Sequence, residues 1–344
     1  MVLGPAWRDR GEAGPAADEH ALRTAARAAG EELMARLRLA EERTAGWTDT
    51  VLTEMLVDAA LSRCMTRLAA TGAWGEANRL PSGELWRVAG PLLDLGVLQH
   101  CARFKPHGYA GDYEMLSRIC EDICCDHPLG RAFDRYFQNQ AAPQAVRSRT
   151  EQTAAAIAAH CLSRGRRRCR IASVGAGPAI DVRRGLAAIP QDRRGQVEVV
   201  LLDLDPHALE FARQGLAPLV AAEALCCERV NLFRLPGWTG AAAVLGRPDV
   251  LVCSGLFDYL DDGTAAAMIA LFWRQLAEGG LLLVGNFAPH NPTRAYMEWI
   301  GNWYLTYRTA DELERLGIEG NIPPHSLSVT AERLGVDLFL VGRA

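Results

Sequence analysis

Ile171-Ala172-Ser173-Val174-Gly175-Ala176-Gly177-Pro178-Ala179 is an apolar run that gives way to two glycines and then to a helical pattern. It reads as a strand, a sharp turn and a helix. Glycines serve where the chain must turn tightly and a ligand must approach the backbone. Alone the turn is weak evidence, because dinucleotide-binding folds share it. The next apolar run ends in Leu201-Leu202-Asp203-Leu204-Asp205-Pro206. This puts Asp203 at the tip of the neighbouring strand, where a carboxylate suits hydrogen bonds from two ribose hydroxyls. The third glycine of the dinucleotide fingerprint is missing. Pro178 and Ala179 follow the second one, so no pyrophosphate needs cradling.

Outward from this stretch, strand-length apolar runs alternate with helical segments. The runs are Arg170 to Val174, Val197 to Leu204, Val250 to Ser254, Gly280 to Asn286, Leu327 to Thr330 and Leu338 to Val341. Helical spacing fills Ala179 to Ala188, Pro206 to Gly215 and Gly263 to Ala277. Near-continuous apolar strands alternating with helices predict an α/β fold, an open and mostly parallel sheet covered on both faces. Before it the pattern is helical from about Asp18 to Gly72. Pro81-Ser82-Gly83 predicts a turn, with Ser82 capping a helix from Glu84. Further helices are expected over Pro91 to Cys101, Glu114 to Asp126, Gly130 to Gln138 and Pro143 to Cys161. Lys105-Pro106-His107-Gly108-Tyr109-Ala110-Gly111-Asp112-Tyr113-Glu114 breaks helix, clusters tyrosines and charges, and reads as a binding loop. The expected organisation is a flexible tail over 1–17, an all-helical cap or substrate domain over 18–165, and a Rossmann-like domain over 166–344.

The 37 basic and 41 acidic residues leave a formal net charge of −4, which gives no electrostatic reason to expect nucleic acid or an anionic membrane as partner. Arg164 to Arg170 is basic but lacks interleaved aromatics, so a solvated connector is the simpler reading. No apolar run is long enough to span a membrane. Met1 to Glu12 lacks the apolar centre of a secretory signal, and the cysteines form no CxxC pair. A reduced, cytoplasmic protein without a metal site is therefore expected. HExxH and GxSxG are absent, which disfavours metallo- and serine-hydrolase chemistry.

The Gly-x-Gly-Pro and Asp-x-Asp-Pro pair resembles motifs I and II of the class I S-adenosylmethionine (SAM)-dependent methyltransferases, over roughly the half of the chain that follows Cys169. The resemblance implies a seven-stranded sheet, SAM as cofactor, and cofactor contacts from Ser173, Gly175, Ala176, Gly177, Asp203, Leu204, Asn231, Leu232, Ser254 and Gly255. Ser173 departs from the pattern, since the family often has an acid there. A narrower resemblance rests on Lys105 to Tyr113, Ala142 to Arg149, Gly255-Leu256-Phe257-Asp258-Tyr259-Leu260, Asn286-Phe287 and Asn291-Pro292. These stretches are similar to proteins of 3-hydroxypalmitic acid methyl ester biosynthesis and to bacterial azetidine-2-carboxylate synthases.

Those two groups imply different reactions. In one, the methyl carbon of the sulfonium goes to an external carboxylate or hydroxyl. In the other, SAM's own amine attacks its γ-carbon, closes a four-membered ring and releases methylthioadenosine. Both depend on positioning in a dry pocket. Candidate catalytic residues are Tyr109, Asp112, Tyr113, Asn139 and Glu298, and Arg147 is a candidate fork for a carboxylate. Tyr136, Phe137, Trp299, Trp303, Tyr304 and Tyr307 either face the sulfonium or pack the helical part. Arg294 and Glu298 are one helical turn apart, so a mutual salt bridge competes with any role toward substrate. His107, His290 and His325 are candidate bases. The expected partner is a small molecule, or SAM alone, in secondary metabolism or signalling. A non-catalytic SAM-binding regulator is the reading from another class, and the oligomeric state is left open.

Overall fold

The computed structural model describes residues 18–46, 50–165 and 167–344. The tail expected over 1–17 lies outside the described residues. The chain divides into two compact units. One holds Ala145–Asn291 and Leu305–Ala344; the other holds the described chain up to Gln144 together with Pro292–Tyr304.

The helical unit contains α1 (Glu19–Thr44), α2 (Val51–Ala69), α3 (Glu76–Leu93), α4 (Val97–Phe104), α5 (Tyr113–Cys120) and α6 (Pro128–Gln138). It also contains a π-helical turn over Tyr296–Ile300, whose wide ring is closed by the Gly301 N–H donating to the Tyr296 carbonyl at 3.0 Å. Helix α1 packs against α2 and α3. Its apolar stripe, Leu22, Ala26, Ala29, Leu33, Leu37 and Ala40, is buried throughout. The crossing with α3 is close. A Cβ on Gly30 would lie 3.1 Å from the Leu85 carbonyl oxygen and 3.2 Å from the Val88 Cβ.

The turn expected at Pro81-Ser82-Gly83 does not form, because α3 runs straight through it and through Pro91. Each proline forfeits one ladder bond, at a cost of about 3 kcal/mol. Burying Leu85, Trp86, Ala89 and Leu93 along the same helix offsets that, at about 1.5–3 kcal/mol for each large side chain. Ser82 accordingly caps nothing. Its hydroxyl donates to the Arg79 carbonyl at 2.8 Å. The helix expected over Pro91 to Cys101 is split by a turn at Asp94–Gly96, and α5 stops six residues short of the expected Asp126.

Helix α7 (Ala141–Ser163) leads into the sheet unit. There follow β1 (Cys169–Val174), α8 (Ile180–Ala187), α9 (Gln191–Arg194), β2 (Val197–Asp203), α10 (Pro206–Leu216), β3 (Leu225–Arg229), α11 (Ala241–Leu245), β4 (Val250–Cys253), α12 (Asp262–Gln275), β5 (Leu281–Phe287), α13 (Ala310–Glu319), β6 (Leu327–Ala331) and β7 (Asp337–Arg343). Among the described residues these strands form one seven-stranded sheet in the order β3-β2-β1-β4-β5-β7-β6. The neighbours from β3 to β5 pair in parallel, and β7 runs antiparallel to both β5 and β6. The expected fold class is what forms: a mostly parallel, Rossmann-like seven-stranded sheet preceded by a helical region.

Alternation along the strands splits the core in two. Ile171, Val199, Leu201, Val250, Val252 and Leu283 pack with Ile157 of α7, Val182 and Leu186 of α8 and Leu209 of α10. Ala172, Val174, Val200, Leu202, Leu251 and Val284 pack with Leu245 of α11, Met268 and Phe272 of α12 and Leu316 of α13. Both faces are therefore covered, which is why the strands read as unbroken apolar runs.

Candidate functional site

The carboxyl ends of β1, β2 and β4 lie side by side, since Val174 pairs with Leu202 and Ser173 with Val252. Crevices at this edge of an open parallel sheet are where ligands bind. After Val174 the backbone turns through Gly175 at φ +65°, a left-handed conformation that glycine adopts without penalty. The N–H groups of Gly175 and Ala176 both donate to the Leu202 carbonyl, at 2.9 and 3.2 Å. The loop is thereby pinned to the end of β2. It closes at Ala179, which takes φ +48° immediately before α8.

Asp203 joins the two motifs physically. Its Oδ2 accepts the Gly177 N–H at 2.8 Å, and its Oδ1 accepts the Asp205 N–H at 2.9 Å. The carboxylate is thus fixed in orientation, and a second lone pair remains on each oxygen. Burial pushes its pKa above the ordinary aspartate value, against the pull of these backbone donors. Asp205 caps α10 through the His207 N–H at 2.8 Å, and Pro206 fills the first helical position. This is the physical reason for the Asp-x-Asp-Pro spacing: one acid ties the glycine loop to the end of β2 and the next starts a helix.

The remaining sheet-unit candidates line the same edge or follow from it. Ser173 is buried within β1, whereas Leu204 is exposed after β2. Asn231 turns the chain after β3, its Oδ1 accepting the Phe233 N–H at 3.2 Å, and Leu232 next to it is buried. The Leu232 Cδ1 comes within 3.6 Å of where a Cβ on Gly175 would stand, so the two loops meet. An open groove of about 490 Å³, lined in part by Phe233, Arg234, Gly263 and Thr264, flanks this turn. Arg147 is half-buried on α7.

Ser254 and Gly255 follow β4 and bring Asp181, Asp337 and Arg308, which the sequence did not single out, together with Arg149, Asp258 and Asn286 from the stretches of the narrower resemblance. The Ser254 hydroxyl donates to Asp181 at 3.2 Å, and burial raises the Asp181 pKa. A Cβ on Gly255 would lie 3.4 Å from the Arg149 guanidinium. Arg149, 6% exposed, forms a 2.6 Å ion pair with Asp337, which is 0% exposed. Asp258, in the turn after β4, accepts the Phe287 N–H at 2.8 Å and the Asn286 amide at 3.0 Å. Arg308 donates to Asn286 at 2.6 Å and to the Phe257 and Leu260 carbonyls at 2.8 and 2.6 Å. Desolvation pushes the Asp258 carboxyl up to about 8 and the Asp337 carboxyl up to about 6, while Arg149 pulls both down.

Tyr109, Asp112, Tyr113, Asn139 and Glu298 all belong to the helical unit. Asp112 is 1% exposed and caps α5, its Oδ1 accepting the Met115 N–H at 2.8 Å; burial raises its pKa. Tyr113 packs on His107 with ring centres 4.8 Å apart, and Tyr109 is half-buried in the preceding loop. Asn139 is exposed at the end of α6. Glu298 sits inside the π-helical turn at 1% exposure. It accepts the Gly75 N–H at 2.8 Å, the Asn78 amide at 2.6 Å and the Arg294 Nε–H at 2.6 Å. The Arg294–Glu298 pair foreseen from spacing is present, and two further donors come from the start of α3. Glu298→Ala should leave the buried Gly75 N–H unpaired and the Asn78 amide with its Ala73 bond alone, and cost about 1–3 kcal/mol of stability. Urea unfolding of the variant checks this; an unchanged midpoint would show that the anchor contributes nothing. Of the aromatic candidates, Tyr136, Phe137, Trp299 and Trp303 are buried, and Phe137 stacks on Tyr296 at 5.2 Å.

His107 lies 3.4 Å from Glu114, while His290 and His325 are exposed. No cluster of His, Cys, Asp and Glu suited to a metal ion occurs among the described residues, and none of their helices is long and apolar enough to cross a membrane. In the expected basic connector, Arg164 pairs with Asp249 at 2.7 Å, and Arg168 and Arg170 pair with Glu198 at 3.0 and 3.1 Å.

Among solved structures, a possible exported protein from Bordetella parapertussis is similar at 17% identity, covering 96% of this chain and 99% of its own, with a TM-score of 0.55. Magnesium protoporphyrin IX methyltransferase from Synechocystis PCC 6803, with bound SAH, is similar at 13% identity over 59% of this chain and 87% of its own, with a TM-score of 0.43. The CurJ carbon methyltransferase is similar at 11% identity over 95% of this chain and 92% of its own, with a TM-score of 0.45. At these identities the likeness is one of fold. No family model and no curated protein sequence matches the chain.

Proposed function

We propose that this chain is a SAM-dependent enzyme that transfers the methyl group to a carboxylate or hydroxyl of a small molecule. A hydroxy fatty acid is the acceptor that the narrower sequence resemblance implies. The observation that carries the reading is the Asp203 carboxylate, buried at the tip of β2 and held there by the Gly177 and Asp205 N–H groups, with acceptor capacity on its oxygens beyond these two bonds. Two such acceptors suit the vicinal hydroxyls of a ribose. Gly175, without a Cβ and at positive φ, lets a ligand reach the backbone beside them. The Leu232 side chain, against this loop, offers an apolar wall for a base. When bound, SAM supplies a sulfonium whose attached carbons are electrophilic. The chain's part is to grip the adenosine, exclude water and fix the direction of attack.

Purified protein incubated with SAM, with and without 3-hydroxypalmitate, tests the proposal. S-adenosylhomocysteine together with a methyl ester is the expected product pair, read by mass spectrometry. Methylthioadenosine formed without any acceptor would overturn transfer in favour of ring closure. SAM that binds and never turns over would reduce the protein to a sensor.

A further inference from the structure

Cys161 and Cys169 carry no role in the reading above, yet their sulfurs lie 2.8 Å apart. Cys161 sits in the last turn of α7 and Cys169 opens β1; their residues are 6% and 2% exposed. Both segments are held in place. The Cys169 N–H donates to the Gln196 carbonyl at 3.0 Å, and α7 and β1 pack in the same core through Ile157, Ala158 and Ile171. The sulfurs need to approach by less than about 1 Å to reach a disulfide bond of about 2.05 Å. The other thiols nearest in sequence do not pair this way: Cys124 and Cys125, like Cys226 and Cys227, are chain neighbours.

A small cavity opens beside the pair. It is lined by Cys161, Leu162, Gly165, Cys169, Arg193 and Gln196 among others, with room of about 10 Å³. That is about the space one water needs. Hydrogen peroxide is only slightly larger, whereas a peptide disulfide such as oxidised glutathione is many times too big.

We propose that Cys161 and Cys169 form a peroxide-specific, reversible disulfide that staples the end of α7 to the start of β1. One thiolate attacks a peroxide oxygen, the O–O bond breaks, and a sulfenic acid forms with release of hydroxide. The second thiol then displaces the sulfenic hydroxyl as water and forms the S–S bond. Two thiols lose two electrons in all, one peroxide gains them, and two waters leave. The hydrogen bond with the Cys161 sulfur, and burial after it, raise the Cys169 thiol above its ordinary value, so oxidation should quicken as the pH rises above neutral.

The test is tryptic mass spectrometry of intact protein treated with hydrogen peroxide, then denatured and alkylated. Trypsin cuts after Arg164 and before Cys169, so the two cysteines leave in separate peptides unless bonded to each other. A linked pair that dithiothreitol separates is expected, with Tm raised by roughly 3–4 °C for so short a closed loop. Oxidised glutathione at the same dose in oxidising equivalents should leave both thiols alkylatable. Cys161→Ser and Cys169→Ser should each lose the linked product, and the wild-type mass measurement stands even if either variant folds poorly. Full alkylation of both thiols after peroxide, or a link made as readily by oxidised glutathione, would overturn the proposal.

Discussion

Asp203→Ala is expected to weaken SAM binding by about 100-fold or more. A hydrogen bond to a charged group is worth about 1.5–3 kcal/mol, and two ribose hydroxyls would lose theirs together. The loss extends to the loop itself, because the same carboxylate holds the Gly177 N–H. Asp203→Asn should not rescue, since an amide turns an NH₂ toward one of two backbone donors, Gly177 or Asp205. The pH dependence adds a second reading. Burial raises the Asp203 pKa, and the ionised form is the better acceptor. Affinity should therefore decline, as pH falls, earlier than an exposed aspartate would dictate. Calorimetry on wild type and both variants between pH 5 and 8 measures all three effects. Equal heats for parent and Asp203→Ala would remove the basis for the proposed function.

The second large effect concerns stability. Arg149→Met removes the cation facing Asp337 at 2.6 Å and pulling on Asp258, and leaves two acids in the core. Breaking a buried pair in this way costs about 3–5 kcal/mol. Its sign with pH follows from linkage. Both carboxyls have folded pKa values above the ordinary 3.8, so between that value and about 8 the folded chain binds more protons than the unfolded one. Their contribution is present at low pH and is lost as pH rises through that window. Without Arg149 the loss should be steeper. Urea unfolding should therefore show a penalty near its full size at pH 8 and a much smaller one at pH 5. A penalty independent of pH would mean that Arg149 acts by packing, for example against the Phe287 ring 5.8 Å away, and not by charge.

The turn at Gly175 and the place of Asp203 at the end of β2 were legible because both motifs are short and local. The sheet was legible because burial on both faces imposes unbroken apolar runs. Helix α3 was not, since Pro81 and Pro91 signal a break locally while the apolar face that overrides them declares itself only against α1. Glu298 was legible as the partner of Arg294, four residues away, but its bonds to Gly75 and Asn78 join distant parts of the chain. The same holds for Arg149, Asp258 and Asp337, and for Cys161 with Cys169. Arg149 and Asp258 lie in stretches that carry the narrower resemblance, but in every case only the fold reveals the pairing. The π-helical turn carries no signature that spacing could have revealed.

The strand order at one edge of the sheet constrains how the protein can be made. β6 is synthesised before β7, yet it pairs only with β7, which occupies the place beside β5. On the ribosome, the apolar β5 must wait with its outer edge bare until residues as late as Leu338 and Leu340 emerge. A nascent chain in that state presents an open β-edge to its neighbours. Slow translation of the stretch between β5 and β7 therefore invites association with other chains, and rapid passage through it favours correct assembly.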